Sequence, residues 1–567
     1  MLGMSARGTL SSSLHSKASA TPSAAAGPNT RRAEAFGRLA DGQFDLLVVG
    51  GGITGCGIAR DAAMRGLRVA LVERDDFGSG TSSRSSRLIH GGVRYLEHGW
   101  LRLVFEASRE RRILLRIAPH LVRPLVFTWP VYRRARVPLW KLRAGLGLYD
   151  ALALFRNVAR HSGLSVAGVA EAEPELRRDR LTGGARYHDA ATDDARLTLA
   201  NAIAAGESGA VVVNHAAIVA FRKEDGRVIG AMIRDEATGA SSEIAVRAVV
   251  NAGGPWSDEI RALDDGSAVA AVRGTKGVHI SVPRHRVGNR DALTLLSPID
   301  GRVFFVLPAG AHTIIGTTDT FTRAHPTEVR ADEEDVKYLT ASANAFFPNA
   351  RLTPADVVAA WAGIRPLIAE GAARDEGDSS REHALHRSAS GVFSITGGKL
   401  TTYRSMAAEV VDDVVRANGD SAGRASTDRV ALPGGDIDSP ESEARDASAA
   451  CGDAATGAHL ARAYGSRWRD VWALSAKEPS LNAHVAPGLP YTLADFVWGV
   501  EREMATTLAD LLMRRTTIAY ELPDQARSLA PRVARTVASR LGWSHTDVER
   551  EIATYEREAE RVFAIDP

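Results

Sequence analysis

The segment from Thr81 to His98, TSSRSSRLIHGGVRYLEH, concentrates residue types that bind anions and exchange protons. Three arginines, two histidines and a tyrosine stand there among serines and glycines. Glycine lets a backbone approach a ligand closely, serine donates hydrogen bonds, and arginine and histidine bind anions or carry protons. A surface loop needs no such density of these residues, so the segment is predicted to surround a bound molecule.

Further cations that could bind an anion follow later in the chain, in turns rather than on polar helix faces. Holding a phosphate dianion out of water requires several of them, because one charge-assisted hydrogen bond contributes only about 1.5–3 kcal/mol. Arginine supplies bidentate contacts and lysine a point charge. Taken singly, each residue could equally be a surface or packing group. The candidate set is His90, Arg94, Tyr95, Arg365, Arg381 and Lys399.

A nucleotide-binding order of elements precedes this segment. An apolar strand, FDLLVV, is predicted at 44–49, and the glycine-rich turn GGGITGCG follows it. A helix is then predicted up to Gly66, and a second strand, VALVE, ends at Glu73. The sequence therefore predicts a β-turn-α-β unit of ordinary size.

Three glycines of the turn have the spacing of a dinucleotide-binding fingerprint, Gly50-x-Gly52-x-x-Gly55. The first makes the tight turn, the second admits the pyrophosphate, and the third packs the helix on the strand. The N-terminus of the helix then directs its positive dipole end at the diphosphate. Glu73 lies near the offset of about 20 residues expected for the acid that binds the ribose, and its charge disfavours the 2′-phosphate of NADP.

Two further glycine turns favour FAD over NAD. One follows an apolar strand at Asn251–Gly254, and the other, GGKLTTY at 397–403, opens a helix much later in the chain. The nucleotide unit also lies near the N-terminus of a long chain. A tightly held flavin contacted from several distant segments would use such turns, so FAD is the predicted cofactor.

The composition argues against several classes of protein. Lys and Arg number 70 against 68 Asp and Glu, so no overall positive charge indicates nucleic acid as a partner. Cys56 and Cys451 are too few for a disulfide framework and fit a reducing compartment. His383 and His386 have no clear third ligand, so no metal site is predicted. No apolar run reaches the roughly 18–20 residues of a membrane span.

The order of elements predicts an α/β protein in which a Rossmann-like FAD-binding domain is interleaved with an antiparallel-sheet substrate domain, followed by a C-terminal helical domain. Helices are expected at 101–117, after an N-cap at Asp193 or Asp194, and as one long amphipathic helix at 496–515. Residues 1–43 are predicted to be a disordered tail, although their composition overlaps with that of a transit peptide. The predicted boundaries are 44–120, 187–270 and 355–425 for the FAD-binding domain, 121–186 and 271–354 for the substrate domain, and 426–567 for the helical domain.

The chain resembles the FAD-dependent, aerobic-type glycerol-3-phosphate dehydrogenases of the D-amino-acid-oxidase-like flavoprotein superfamily. The resemblance rests on segments that occur in the order of that family and cover residues 44 to 405. SSRSSRLIHGGVRYLEH together with GGKLTTYR is much more specific than the glycine fingerprint, which many flavoproteins share. The other matching segments are GGGITGCGIARDAAMRGLRVALVERDDF, NAGGPWSD, KGVHI, IIGTTDT and AGIRPL.

The resemblance implies an enzyme of glycerol metabolism that oxidises sn-glycerol 3-phosphate to dihydroxyacetone phosphate. A hydride would pass to flavin N5 and the electrons to a membrane quinone, and a neutral histidine is the expected general base for the C2 hydroxyl. Catalysis is assigned to His90, Arg365 and Lys399, and substrate binding to Arg94, Tyr95 and Arg381. FAD would be bound by Gly50, Gly52, Gly55, Glu73, Thr81, Ser82, Ser83, Gly253, Gly397, Gly398, Leu400 and Thr401.

Quinone as acceptor requires contact with a lipid surface, so a cytoplasmic protein attached peripherally to the inner face of the cell membrane is expected. The stretch at 129–155, WPVYRRARVPLWKLRAGLGLYDALALF, interleaves basic and aromatic residues and suits a segment lying in the interface of anionic lipid. A basic, aromatic loop of the substrate domain explains the same residues equally well. A homodimer is left open, and no nucleic acid is expected as a partner.

Three other functions are left open by the sequence. A glycerol-3-phosphate oxidase would use the same substrate with O₂ as the acceptor. An amine or amino-acid oxidase of the same superfamily would need to pair only one carboxylate, and the several cations favour phosphate instead. A non-catalytic flavin-binding protein is the least favoured, because it would not need the histidine, arginine and lysine set.

Overall fold

The computed structural model of the protein describes residues 28–154, 156–266, 272–368 and 383–567. Residues 1–27 of the predicted tail and the candidate Arg381 lie outside the described residues. Across the described ranges, no helix is both long and apolar enough to cross a membrane.

Short runs of valine and leucine form the centre of a six-stranded sheet, as expected for parallel strands buried on both faces. Strand Leu46–Val49 lies between two parallel neighbours, and the glycine turn at its end leads into helix Ile53–Met64, which packs on the sheet. This confirms the predicted nucleotide-binding unit. In sheet order the strands are His383–Arg387, Phe393–Gly397, Val249–Asn251, Leu46–Val49, Val69–Val72 and Val211–Val213.

A ten-stranded sheet supplies the second large layer. The alternation of apolar and polar residues after Val272 predicts an antiparallel layer, and the strands between Val272 and Gly316 do pair in this way. One parallel pair, Val122–Tyr132 with Ala292–Leu296, interrupts the pattern. The strands are Leu88–Ile89, Val122–Tyr132, Ser162–Leu164, Leu181–Thr192, Val272–Pro283, Ala292–Leu296, Val303–Ala309, His312–Gly316, Thr320–Thr322 and Ala359–Ile368.

Strand Ala359–Ile368 belongs to a different sheet from the one that the predicted domain boundaries imply. It falls within the range 355–425 predicted for the FAD-binding domain, yet it pairs along its whole length with Val272–Pro283 of the ten-stranded sheet. The reason is that its alternate side chains, among them Ala360 and Ile364, pack in the core of that sheet. The chain joins the six-stranded sheet only at the strand that begins with His383.

Part of the predicted disordered tail is a helix, Pro28–Asp41, so that prediction is wrong for these residues. Leu39 is fully buried in an apolar core, and Arg32 donates hydrogen bonds to the Asn214 carbonyl at 2.6 Å and to Asp235 at 2.7 Å. These tertiary contacts stabilise the segment, since an isolated helix of this length is marginal in water. The helix packs beside a four-stranded sheet of Gln43–Phe44, Ser241–Val246, Arg227–Asp235 and Ala216–Glu224.

Local signals place two helices as predicted. Helix Leu101–Ile117 has the predicted bounds, and the Asp193 carboxylate accepts a hydrogen bond from the Arg196 N–H as the N-cap of helix Asp194–Glu207. The other helices before the C-terminal domain are Leu139–Leu152, Val166–Ala172, Ser257–Asp265, Arg284–Val287, Glu333–Asn344 and Tyr403–Asn418.

The C-terminal domain is helical as predicted, but the long helix expected at 496–515 is divided. Met504 has a φ of 60°, which ends the first helix, and the N–H groups of Thr506 and Thr507 then donate to the Asp510 carboxylate and start a π-helical turn. The α-helices are Pro440–Cys451, Ala454–Tyr464, Trp468–Lys477, Leu493–Arg502, Ala530–Leu541 and His545–Phe563, and the π-helical turn is Asp510–Arg515.

Buried ion pairs join this C-terminal domain to the six-stranded sheet. Asp76, three residues after Glu73, accepts hydrogen bonds from Arg514 at 2.6 Å and from Arg515 at 2.5 Å. Asp76 and Arg515 are almost completely inaccessible to solvent. The loop that follows the second strand of the nucleotide unit is therefore fixed by side chains from the far end of the chain.

Candidate functional site

A cavity of about 400 Å³ is lined by residues of both large sheets. It brings together segments that are separated by more than 300 positions in the sequence, and its size is typical of a small-molecule site. It includes most of the residues that the sequence indicates. These are Gly50, Gly52, Glu73, Thr81, Ser82, His90, Tyr95, Gly253, Arg365, Gly397, Gly398, Lys399, Leu400 and Thr401.

Four of the predicted site residues are not among those that line the cavity. A Cβ on Gly55 would lie 1.9 Å from the Gly50 carbonyl oxygen, so Gly55 allows the helix to pack on the turn, as the third glycine should. Ser83 is buried in the turn Thr81–Ser83, and its contact with the cofactor stays a prediction. The side chain of Arg94 and the whole of Arg381 lie outside the described part of the chain.

The cofactor side of the cavity is built mainly from backbone. Gly50 has a φ of 110°, and a Cβ there would lie 2.6 Å from the Ala252 carbonyl oxygen, so only glycine suits this turn. A Cβ on Gly52 would approach only the Ser82 hydroxyl, at 3.3 Å, and the rest of that space faces the cavity. The N–H of Ile53 donates to the Ser82 hydroxyl at 2.9 Å. A diphosphate fits this cradle at the start of a helix.

The predicted ribose-binding acid is held at the edge of the same cradle. The Glu73 carboxylate accepts hydrogen bonds from the N–H of Gly51 at 2.5 Å and from the N–H of Asp75 at 2.8 Å. Burial raises the pKa of Glu73 to about 7, and the negative charge of Asp75 acts in the same direction. The residues present therefore fit a dinucleotide such as FAD.

The serines and the threonine of the Thr81–His98 segment tie it to the surrounding elements. Thr81 donates to the Ile364 carbonyl of the ten-stranded sheet at 2.6 Å, and Ser85 donates to Asp194, also at 2.6 Å. The Ser86 hydroxyl lies 2.8 Å from His279 Nε2. Each of these bonds reaches a different element, so the segment joins the cofactor side to the substrate side.

Three predicted residues meet on the substrate side. The N–H of His90 donates to the Thr401 hydroxyl at 3.2 Å, which fixes the backbone of the histidine against the third glycine turn. The rings of His90 and Tyr95 lie 6.2 Å apart, and Lys399 Nζ lies 3.7 Å from the centre of the Tyr95 ring. This short distance is that of a cation–π contact. Tyr95 thus contacts the Lys399 ammonium group and lies near the His90 imidazole.

Arg365 is oriented by its neighbours. Its guanidinium donates to Asp319 at 2.9 Å and to the Thr317 hydroxyl at 3.0 Å. A Cβ on Gly277 would lie 2.6 Å from the Arg365 guanidinium, so the absence of a side chain there lets the arginine lie across the strand. These contacts fix the orientation of the guanidinium at the cavity wall.

Sequence reasoning missed His279, whose signal was a histidine within the apolar strand segment KGVHI. The His279 ring stacks on the Trp361 ring, with the ring centres 5.6 Å apart. The rings of Trp361 and of Tyr520 in the C-terminal domain meet at a right angle, with their centres 5.3 Å apart. Burial lowers the pKa of His279 to about 3, with Arg365 acting in the same direction, so the ring is neutral. His279 lines the cavity as a neutral hydrogen-bonding group.

The arginines of the Thr81–His98 segment have different environments. Arg84 lines the cavity. The Arg87 guanidinium instead lies 4.9 Å from the centre of the Tyr520 ring, and its Nε is 4.0 Å from the Asp194 carboxylate. Arg87 therefore stabilises the contact with the C-terminal domain.

One cluster has the ligand types of a metal site. Asp76, His215 and Asp510 bring ligand atoms within 4.8 Å of one another. Arg514 already pairs with both carboxylates, at 2.6 and 2.7 Å, and His215 lies 3.0 Å from Asp510. These ion pairs account for the cluster without a cation.

The chain matches two protein-family models. The model described as FAD dependent oxidoreductase matches residues 45–404, and the C-terminal domain of alpha-glycerophosphate oxidase matches residues 425–548. Together these matches span both large sheets and most of the helical domain.

Individual relatives agree with these matches. The chain is 42% identical to glycerol-3-phosphate dehydrogenase 2 of Mycobacterium bovis, over 94% of this chain and 91% of the relative. It is 37% identical to the mitochondrial glycerol-3-phosphate dehydrogenase of Mus musculus, over 94% of this chain and 75% of that protein. The crystal structure of glycerol-3-phosphate dehydrogenase from Bacillus halodurans complexed with FAD superposes with a TM-score of 0.79, at 33% identity, covering 94% of this chain and 98% of the other.

Proposed function

Because the chain belongs to the FAD-dependent glycerol-3-phosphate dehydrogenase family, we propose that it oxidises sn-glycerol 3-phosphate to dihydroxyacetone phosphate and delivers the electrons to a membrane quinone. The observation that carries the proposal is the meeting of His90, Lys399 and Arg365 in a cavity that also holds the dinucleotide cradle. Bound FAD supplies the hydride acceptor, and the protein supplies the groups that bind the substrate and move its proton.

His90 is the proposed general base. Oxidation of a secondary alcohol requires the hydroxyl proton to leave as the C–H bond breaks, and a neutral imidazole accepts such a proton. The hydrogen bond between the His90 backbone and Thr401 sets the position of the ring relative to the third glycine turn. His90 Nε2 or Nδ1 would therefore take the proton of the C2 hydroxyl.

Lys399 and Arg365 take different parts of the substrate in this proposal. Lys399 shares Tyr95 with His90, so its ammonium group is assigned to the C2 oxygen, where negative charge develops as the proton leaves. Arg365 presents a fork of N–H groups, fixed by Asp319, and is assigned to the phosphate. Arg94 and Arg381 are proposed as further phosphate ligands.

The substrate test uses the purified flavoprotein under anaerobic conditions. Addition of sn-glycerol 3-phosphate is expected to bleach the flavin absorbance, whereas a D-amino acid is expected to leave it unchanged. Bleaching by the D-amino acid alone, or by neither compound with FAD bound, would overturn the proposed substrate. Re-oxidation faster with a ubiquinone or menaquinone analogue than with O₂ is expected, and the reverse order would indicate an oxidase.

An exposed apolar surface suits the proposed contact with lipid. Leu101 and Phe105 on helix Leu101–Ile117 and Trp140 and Leu148 on the adjoining helix Leu139–Leu152 are exposed, Trp140 to 73%. The two helices contact each other, and apolar side chains exposed on neighbouring elements are candidates for a lipid contact.

Only some residues of the basic, aromatic stretch at 129–155 are exposed and can contribute to this surface. Its Arg133, Arg134 and Arg143 are exposed, and cations beside apolar side chains suit anionic lipid. Trp129 and Tyr149, by contrast, are buried in the core, so only part of the stretch could enter an interface. We propose that this surface holds the protein at the inner face of the cell membrane.

Flotation with vesicles tests the membrane surface. The wild-type protein is expected to float with vesicles containing phosphatidylglycerol, and the double variant Trp140→Ser/Leu148→Ser to lose most of that binding. Ile299→Ser, which removes an exposed apolar side chain outside this surface, is the control and should float normally. Unchanged flotation of the double variant would contradict this surface.

A further inference from the structure

A second cavity, of about 810 Å³, lies where three parts of the chain meet. The N-terminal helix Pro28–Asp41 forms one wall, helix Asp194–Glu207 with strand Val211–Val213 a second, and helices Trp468–Lys477 and Leu493–Arg502 a third. We refer to it as the junction cavity. Over the described residues, it shares no lining residue with the substrate and cofactor cavity.

The lining of the junction cavity has more cations than anions. Two of the cations are neutralised, since Arg32 pairs with Asp235 at 2.7 Å and Arg467 pairs with Glu207 at 2.8 Å. The remaining cations have no ion pair within 4 Å in the described ranges. The cations of the lining are Arg31, Arg32, Arg38, Arg467, Lys477 and Arg502, and the acids are Glu207, Asp470 and Glu501.

Arg31 shows the electrostatic consequence of this arrangement. Its Nε is shielded from solvent and has no hydrogen-bond partner in the part of the chain that the structure describes. Burial lowers the pKa of Arg31, and the positive charge of Arg502 lowers it further. The negative charges of Glu501 and Glu34 offset this only in part, since the pKa remains lowered. An anion between Arg31 and Arg502 would satisfy both.

The cavity also has an apolar wall. Ile203, Leu474, Trp498 and Val500 contribute to it, so an organic body can bind beside the charged groups. A volume of this size lies within the range of known small-molecule sites. The chain's own residues before the helix do not offer the complementary charge, since no Asp or Glu occurs before Glu34.

We propose that the junction cavity binds a small phosphorylated organic anion, of about the size of a nucleoside monophosphate, through Arg31, Lys477 and Arg502. The phosphate lies among these cations and the organic part contacts the apolar wall. Because the ligand touches the N-terminal helix, the cofactor domain and the C-terminal domain, its binding stabilises their association. This site goes beyond the proposed oxidation and does not depend on it.

The test is calorimetric titration of the FAD-loaded protein at low salt with adenosine 5′-monophosphate and, separately, with inorganic phosphate. Adenosine 5′-monophosphate is expected to bind at one site per chain, more tightly than phosphate, since only the nucleotide reaches the apolar wall. The binding should persist with saturating sn-glycerol 3-phosphate and leave the flavin spectrum unchanged, which places it outside the substrate and cofactor cavity.

Charge-removing variants decide whether the bound molecule lies in the junction cavity. Arg31→Gln and Arg502→Gln are each expected to weaken nucleotide binding by roughly tenfold or more. Lys477→Gln removes an exposed cation that makes no ion pair in the described ranges, so it should fold normally and weaken binding in the same direction. Arg535→Gln, an exposed arginine of the same domain outside the cavity, should have no effect.

Three results would overturn the proposal. These are no saturable nucleotide binding up to about 1 mM, equal affinity in the wild type and in all three cavity variants, or displacement of the nucleotide by sn-glycerol 3-phosphate. The last result would assign the binding to the substrate cavity.

Discussion

The two sides of the substrate and cofactor cavity are built in different ways. The cofactor side is formed mainly by backbone, at glycines such as Gly50 and Gly52 that follow strands of one sheet. The substrate side is formed by side chains, among them His90, Arg365 and Lys399, which come from distant segments and are held by neighbours of other types. The comparison indicates that binding of FAD and chemistry on the substrate can be disrupted independently.

His90→Asn is expected to give the largest effect, and on the substrate side alone. Loss of the general base should slow flavin reduction by sn-glycerol 3-phosphate by about 10²–10⁴-fold, while FAD remains bound. Anaerobic stopped-flow absorbance measures the rate, and His383→Asn, an edge-strand histidine paired with Glu409, is the control. A near-normal rate in His90→Asn would remove His90 from the mechanism.

Gly52→Val, by contrast, should affect the cofactor side and not the substrate side. The new side chain would project into the space where the diphosphate is expected, and its Cβ would meet only the Ser82 hydroxyl, at 3.3 Å, so the fold should persist while affinity for FAD falls by roughly 100-fold. Flavin content after purification and fluorescence titration of the apoprotein measure this. Gly423→Val, at an exposed position with open space, should retain FAD. Normal flavin content in Gly52→Val would argue against the cradle.

The pH dependence of FAD binding should report on Glu73. Because burial raises the pKa of Glu73 to about 7, its carboxylate is ionised above that pH and becomes protonated as the pH falls through 7. The ionised carboxylate accepts stronger, charge-assisted hydrogen bonds from the ribose hydroxyls than the protonated group does, so apoprotein affinity for FAD should fall by about tenfold from pH 8 to pH 6.

The control for this titration is Glu73→Gln, which cannot ionise. Its affinity for FAD should be lower at pH 8 and should vary little between pH 6 and pH 8. An equally steep decline in Glu73→Gln would assign the pH dependence to a different group.

Tyr520 of the C-terminal domain should have the smallest effect, again on the substrate side. Tyr520→Leu removes the ring that supports Trp361 and thereby His279, and an edge-to-face ring pair contributes about 0.5–1.5 kcal/mol. We expect kcat/KM for sn-glycerol 3-phosphate to fall by about 2–10-fold with FAD content unchanged. Tyr520→Phe keeps the ring and should restore the wild-type value, whereas an equal loss in both variants would rule out support through the ring.

The difference between the cofactor side and the substrate side also explains which features could be predicted from the sequence. The nucleotide unit, helix Leu101–Ile117 and the N-cap at Asp193 depend on residues that are close together in the chain, so their signals are local. Pairing of Arg365 with Asp319 and stacking of His279 on Trp361 depend on strand register between separate segments, which no local pattern specifies.

Two elements were mispredicted for a related reason. The N-terminal helix is stabilised by contacts of Arg32 and Leu39 with residues far along the chain, although its own composition favours a tail. The long helix expected at 496–515 has a continuous apolar stripe, but the left-handed backbone at Met504 divides it. For the N-terminal helix, tertiary contacts outweigh local preference.

The ion pairs of Asp76 with Arg514 and Arg515 also bear on how the chain can be divided. The two matched families meet between residues 404 and 425, which suggests two separable modules. A fragment ending there would lose both arginines that pair with Asp76 and would expose the apolar core that the helical domain shares with the ten-stranded sheet. The helical domain is therefore a part of the cooperative folding unit of the flavin-binding domain, and truncation before it should yield insoluble protein rather than a smaller flavoprotein.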